Sequence, residues 1–108
     1  MPRYLTVFKY STDSYKGLLK DKAAAREAAV RKATESAGGK LEALYWAGSE
    51  DCTGIAISEL PDAPTGAAFI ALIGSTGALS NTQVTELITT SEFDRALGKS
   101  MGYRPPGG

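Results

Sequence analysis

The sequence predicts an α+β domain of ferredoxin-like type: β-α-β-β-α-β, an antiparallel sheet with both helices on one face, and a short extra helix near the C-terminus. Three observations carry this expectation. Runs of aromatic and β-branched residues alternate with helix-forming runs in that order. The second and third strand-like runs are separated by little more than a turn, as in a hairpin. The 108 residues, 43% apolar and 22% charged, suit one domain with one core.

Tyr4 to Tyr10 (Tyr-Leu-Thr-Val-Phe-Lys-Tyr) is the first strand, because aromatic and β-branched side chains pack well on a pleated surface. Ser11-Thr12-Asp13-Ser14 has turn and N-cap chemistry, and a short helical turn is expected through Leu18 and Leu19, weakened by Gly17. Lys22 to Ala37 is the clearest helix. Alanine and straight-chain residues dominate it, and Ala29, Val30, Ala33 and Ala37 make a stripe of small apolar residues suited to close approach to a sheet. Gly38-Gly39 stops it. Lys40 to Ala47 is the second strand, Gly48-Ser49-Glu50-Asp51 a turn, and Thr53 to Glu59 the third strand. Leu60-Pro61-Asp62-Ala63-Pro64 opens a second helix, on which Phe69, Leu72, Ile73 and Thr76 share a face, and Gly77 or its neighbours end it. Thr82 to Ile88 is the fourth strand. Thr89 and Glu92 have capping-box spacing for a helix from Ser91 to Leu97. Residues 1–98 then form the domain and residues 99–108 a flexible tail, since Gly102-Tyr103-Arg104-Pro105-Pro106-Gly107-Gly108 cannot build a core.

Alternation along the strands leads to an expectation about assembly. Leu5 and Val7 point to one side of the first strand, and Tyr4, Phe8 and Tyr10 to the other. Ile55 and Ile57 oppose Gly54 and Ala56 in the third strand, with no charge between Thr53 and Ser58. Both sheet faces are thus apolar, yet the helices cover one. Another copy of the chain is the simplest cover, so a homo-oligomer, dimer or larger, is expected.

Composition excludes several classes. Lys plus Arg equals Asp plus Glu at 12 each, so no bulk charge draws nucleic acid or an anionic membrane. No stretch approaches the ~20 apolar residues of a membrane span, and the N-terminal residues show no signal-peptide pattern. One cysteine, Cys52, rules out an internal disulfide and fits the cytoplasm. The absence of histidine removes Ser-His-Asp and Cys-His relays, His-ligated zinc and His-ligated haem, so no metal or other cofactor is expected.

The segments "PRYLTVFKYST", "ESAGGKLEALYWAGSEDCTGIAISELPD" and "AAFIALIGSTGALSNTQVTEL", followed by a Ser-Glu-Phe helix start, together resemble the GYD-domain family from about Met1 to Leu97. The resemblance implies a ferredoxin-like fold related to the dimeric α/β-barrel proteins, in which two sheets pack face to face. It implies no particular activity, because such barrels include cofactor-independent oxygenases, isomerases, haem enzymes and proteins without known chemistry. The name-giving Gly-x-Tyr-Asp motif falls on Gly48, Ser49, Glu50 and Asp51, with glutamate in place of tyrosine.

Several residues are candidates for chemistry, each with a plainer reading beside it. Asp51, at a motif position, is the weak catalytic candidate; with Glu50 it is otherwise a solvated turn. Tyr10, Tyr45 and Trp46 suit the wall of an aromatic pocket, or equally core or subunit interface. Arg26 matches a recurring arginine of the family's first helix and suits a carboxylate anchor, or a surface pair with Glu27 or another acid. Cys52 has no histidine to activate it and is more simply a small buried hydrophobe. Gly74-Ser75-Thr76-Gly77 lacks the lysine and spacing of a phosphate loop. The expected pocket lies between helices and sheet near the end of the first strand, with Tyr10 giving a hydroxyl, Arg26 a charge, and Tyr45 or Trp46 a wall. Three functions stay open: binding of a small apolar or aromatic metabolite, cofactor-independent catalysis of oxygenase or isomerase type, and regulation through a nucleotide or protein.

Overall fold

The computed structural model describes residues 1–108. Along the chain run β1 (Arg3–Tyr10), α1 (Thr12–Asp21), α2 (Ala23–Ser36), β2 (Lys40–Trp46), β3 (Gly54–Glu59), α3 (Ala63–Ser75), β4 (Leu79–Leu87) and α4 (Thr90–Leu97). The four strands form one sheet in the order β2-β3-β1-β4, with every neighbouring pair antiparallel. Each β-α-β passage skips one strand position, and the directly joined strands β2 and β3 are the hairpin. The fold is α+β and ferredoxin-like.

The helix ends follow local chemistry. Asp62 caps α3 by accepting the Thr65 N–H at 2.8 Å, and Pro64 sits in the first turn, where its missing N–H costs nothing. At α4 the capping box is complete: the Glu92 N–H donates to Thr89 Oγ1 (3.2 Å) and the Thr89 N–H to Glu92 Oε1 (3.1 Å). Gly38 takes φ +83° after α2, a conformation without penalty for glycine.

Three elements differ from the sequence expectation. The turn expected at Leu18–Leu19 is the ten-residue helix α1. Gly17 costs a helix only about 1 kcal/mol, which an N-cap such as Ser11, accepting the Ser14 N–H at 3.3 Å, offsets at similar magnitude. Lys22 is not the first residue of α2 but the joint between α1 and α2, at φ 72° and ψ 164°, a region rarely entered by a side-chain-bearing residue. Finally, β4 begins at Leu79, three residues before Thr82, because Tyr10 pairs with Leu79 through a register shift next to Lys9.

Register assigns the faces. On the helix side, rows across the sheet read Trp46-Gly54-Phe8-Thr82, Leu44-Ala56-Thr6-Val84 and Leu41-Ser58-Tyr4-Glu86. The core sits here: Leu41 is 2% exposed, Tyr10 6% and Phe8 8%. The opposite face reads Tyr45-Ile55-Val7-Gln83 and Ala43-Ile57-Leu5-Thr85. A register shift between Leu41 and Ala43 sets Glu42 apart on β2. Arg3 closes the lower rim, donating from Nε to Glu42 (2.8 Å) and from Nη2 to Glu59 (3.1 Å). That bond to Arg3 is the main reason the Glu42 carboxyl is held below its usual range.

Candidate functional site

A cleft of about 720 Å³ opens between α2, α3 and the inner face of the sheet. Its volume falls within the range of small-molecule sites, and 19 of its 25 lining residues are hydrophobic. The sequence builds it in a simple way. Ala29 and Ala33 keep α2 slim where it faces the sheet, and Ala56 leaves the floor of β3 shallow. The apolar side chains Phe69, Ile70 and Ile73 on α3 form the opposite wall.

Phe8 and Tyr10 line one end, with the rings of Trp46 and Tyr15 packed against them. Phe8 and Tyr10 lie 5.5 Å apart with their rings tilted by 42°, Trp46 meets both edge-on at 6.2 Å, and Tyr15 from α1 meets Tyr10 edge-on at 5.9 Å. One hydroxyl ties this end together. Thr53 Oγ1 accepts the Tyr10 N–H at 2.9 Å and shares a 2.7 Å hydrogen bond with the Tyr15 hydroxyl. Thr53 itself is 4% exposed and bridges strands through its backbone, its N–H donating to Phe8 O and its carbonyl accepting from Ala47, both at 2.8 Å.

The residues singled out from sequence separate into two groups. Tyr10 and Arg26 both line the cleft. Tyr10 spends its N–H on Thr53 and leaves its hydroxyl unbonded within the chain. Arg26 is half-buried and belongs to none of the ion pairs: Arg3 holds Glu42 and Glu59, and Glu27 pairs with Arg31 (3.5 Å) rather than with Arg26. Trp46 stands behind Tyr10 and faces a smaller notch beneath α1. Tyr45 is not a wall of the cleft. It points from the opposite sheet face, 65% exposed, because adjacent strand residues project to opposite sides. Asp51 is likewise outside, in the exposed hairpin turn, where its N–H donates to Ser49 Oγ at 3.2 Å.

Cys52 is half-buried and its thiol donates to Gly54 O at 3.4 Å. Ser75 and Thr76 turn their hydroxyls back on Leu72 O and Ile73 O, both at 2.6 Å, as side chains at a helix end do. No three of the Cys, Asp and Glu side chains converge as a metal site would require.

Sequence reasoning missed Tyr4, Thr53, Tyr15 and Glu86. Tyr4 shares the parity of Phe8 and Tyr10 and was legible as a cleft residue once that face was known to be the inner one. Glu86 follows Thr82 and Val84 by the same period of two. Nothing local marks Thr53 or Tyr15, whose hydrogen bond spans 38 residues.

Comparison with known proteins gives one family. The model of the GYD domain matches residues 4–97. A crystal structure of At3g17210 from Arabidopsis thaliana is similar at 16% sequence identity and a TM-score of 0.40, covering 83% of this chain and 96% of that one. Among curated proteins none matches the chain.

Proposed function

This chain belongs to the GYD-domain family, and we propose that it is a homo-oligomeric protein that holds a small apolar or aromatic metabolite between its helices and its sheet. The cleft carries this reading: about 720 Å³ of mostly apolar wall with a few polar groups is the usual make-up of a small-molecule site. Its volume is that of a compact ligand rather than of a macromolecular partner.

The outer sheet face supports the assembly. Leu5, Val7, Ile55 and Ile57 form two half-buried apolar rows there, Tyr45 stands 65% exposed beside them, and Arg3 with its two glutamates makes a polar rim. An apolar centre within a charged rim is interface anatomy. Packing that face against the same face of a second copy forms the two-sheet barrel and covers Tyr45. The free Cys52 suits a reducing compartment, and we infer a cytoplasmic location.

Native mass spectrometry of the purified protein tests both parts. A homo-oligomer carrying a co-purifying apolar metabolite is the expected result. A clean monomer of 11.3 kDa overturns the assembly, and failure of every member of an apolar and aromatic metabolite panel to bind overturns the binding role.

A further inference from the structure

We propose that the ligand of this cleft is an amphiphilic monoanion: an apolar body with a single carboxylate, bound by Arg26. The proposal rests on the binding reading above and adds the charge and polarity of the ligand.

Arg26 is the one cation among the lining residues and Glu86 the one anion. They stand at opposite ends of the cleft. The start of α2 shares a notch with Trp46 and Thr53, which puts Arg26, one turn further on, near the Tyr10 end. The end of α2 reaches the far end of the sheet, where the Gly39 N–H donates to Thr34 O and a Cβ on Gly38 would lie 3.1 Å from Pro61. Glu86 belongs to that far end, in the row of Tyr4, Ser58 and Leu41. Tyr4 and Tyr10 are six residues apart on one strand, about 20 Å at ~3.3 Å per residue.

A half-buried guanidinium without a carboxylate partner has lost hydration and gained no ion pair. An anion that arrives with the ligand supplies that pair, and the guanidinium fork matches a carboxylate in bidentate fashion. The Tyr10 hydroxyl, unbonded within the chain, is available as a second donor at the same end. The apolar body then lies along Val30, Ala33 and Phe69, where a charge would be left unpaired. Glu86 makes the selection directional: a second carboxylate at the far end meets a like charge, so dicarboxylates are disfavoured.

Calorimetric titration with octanoate, octanol and hexadecanedioate, a diacid long enough to span the cleft, tests this at neutral pH, with 2-naphthoate and 2-naphthol as the pair for an aromatic body. Each carboxylate is expected to bind at least about tenfold more tightly than its alcohol, the size of effect one charge-assisted hydrogen bond gives. Arg26→Gln should weaken carboxylate binding about tenfold and so bring acid and alcohol to similar affinity, with the circular dichroism melt confirming a folded variant. Glu86→Gln should raise the affinity for hexadecanedioate relative to octanoate several-fold. Equal binding of acid and alcohol to the unmodified protein overturns the monoanion inference while the apolar cleft stands. Persistence of the preference in Arg26→Gln overturns the anchor. An unchanged ratio of hexadecanedioate to octanoate affinity in Glu86→Gln overturns the selection against dianions. Binding of none of the probes overturns this inference together with the reading it rests on.

Discussion

Replacing Thr53 by valine removes one oxygen and keeps the shape of the side chain. That oxygen is 4% exposed as part of its residue and serves two partners, the Tyr10 N–H at 2.9 Å and the Tyr15 hydroxyl at 2.7 Å. The two losses differ in kind. Tyr10 is 6% exposed, so its N–H is left buried without an acceptor, which costs about 1–3 kcal/mol. Tyr15 is half-buried and its hydroxyl can turn to water, so its share is about 0.5–1.5 kcal/mol. Together Thr53→Val should destabilise by roughly 2–4 kcal/mol, or about 10–20 °C in Tm for a domain of this size. Urea denaturation at fixed protein concentration measures this, and the concentration must be fixed because assembly contributes to apparent stability. Tyr15→Phe alone should cost about 0.5–1.5 kcal/mol, and the double variant should cost less than the sum, because the two residues share one bond. Thr53→Ser restores the oxygen and should recover most of the loss. If Thr53→Val unfolds within about 0.5 kcal/mol of the unmodified protein, the hydroxyl bridge contributes nothing measurable. If Thr53→Ser is as damaged as Thr53→Val, the methyl group and its packing account for the residue instead.

Gly54→Ala should destabilise by about 1–3 kcal/mol through overpacking, since a Cβ there would lie 2.6 Å from Tyr45 O and 2.9 Å from the Phe8 ring; an unchanged melting temperature would show that β3 yields freely. Ile57→Glu should shift the species seen by light scattering toward 11.3 kDa by placing a charge at the centre of the outer face, and an unchanged oligomer would put the interface elsewhere. Stability should fall on acidification. Hydrogen bonds from the Thr65 side chain and backbone lower Asp62, the Thr89 backbone and hydroxyl lower Glu92, and Arg3 lowers Glu42. A carboxyl depressed in the folded state contributes stability that is fully present above its ordinary value, ~4, and is lost as pH falls through the folded value. Urea midpoints between pH 6 and pH 2 read this, and Glu92→Gln should flatten the acid limb; a variant with the same slope as the unmodified protein would remove the capping box from the account.

Particular residues show how far sequence reasoning reached into this protein. The Ala-rich run of α2, the Pro61-Asp62-Ala63-Pro64 opening of α3 and the Thr89–Glu92 box are local signals, since propensity, capping and proline geometry act within about one turn of the chain. The alternation of β1 likewise states that Leu5 and Val7 oppose Tyr4, Phe8 and Tyr10. Element order, fold class and the presence of two apolar sheet faces follow from such signals alone. Tertiary structure decided which face is which. A period of two is symmetric under exchange of inside and outside, so Tyr45 and Trp46, adjacent and both aromatic, gained opposite environments only when α2 settled on one side. It also decided that Arg26 is left without a partner, since Glu27 turns to Arg31, and that Thr53 reaches Tyr10 of β1 and Tyr15 of α1, 43 and 38 residues away. Such contacts depend on where distant segments arrive, and a hydrogen bond or ion pair has no counterpart in local propensity until the packing of the whole chain brings its two groups within reach.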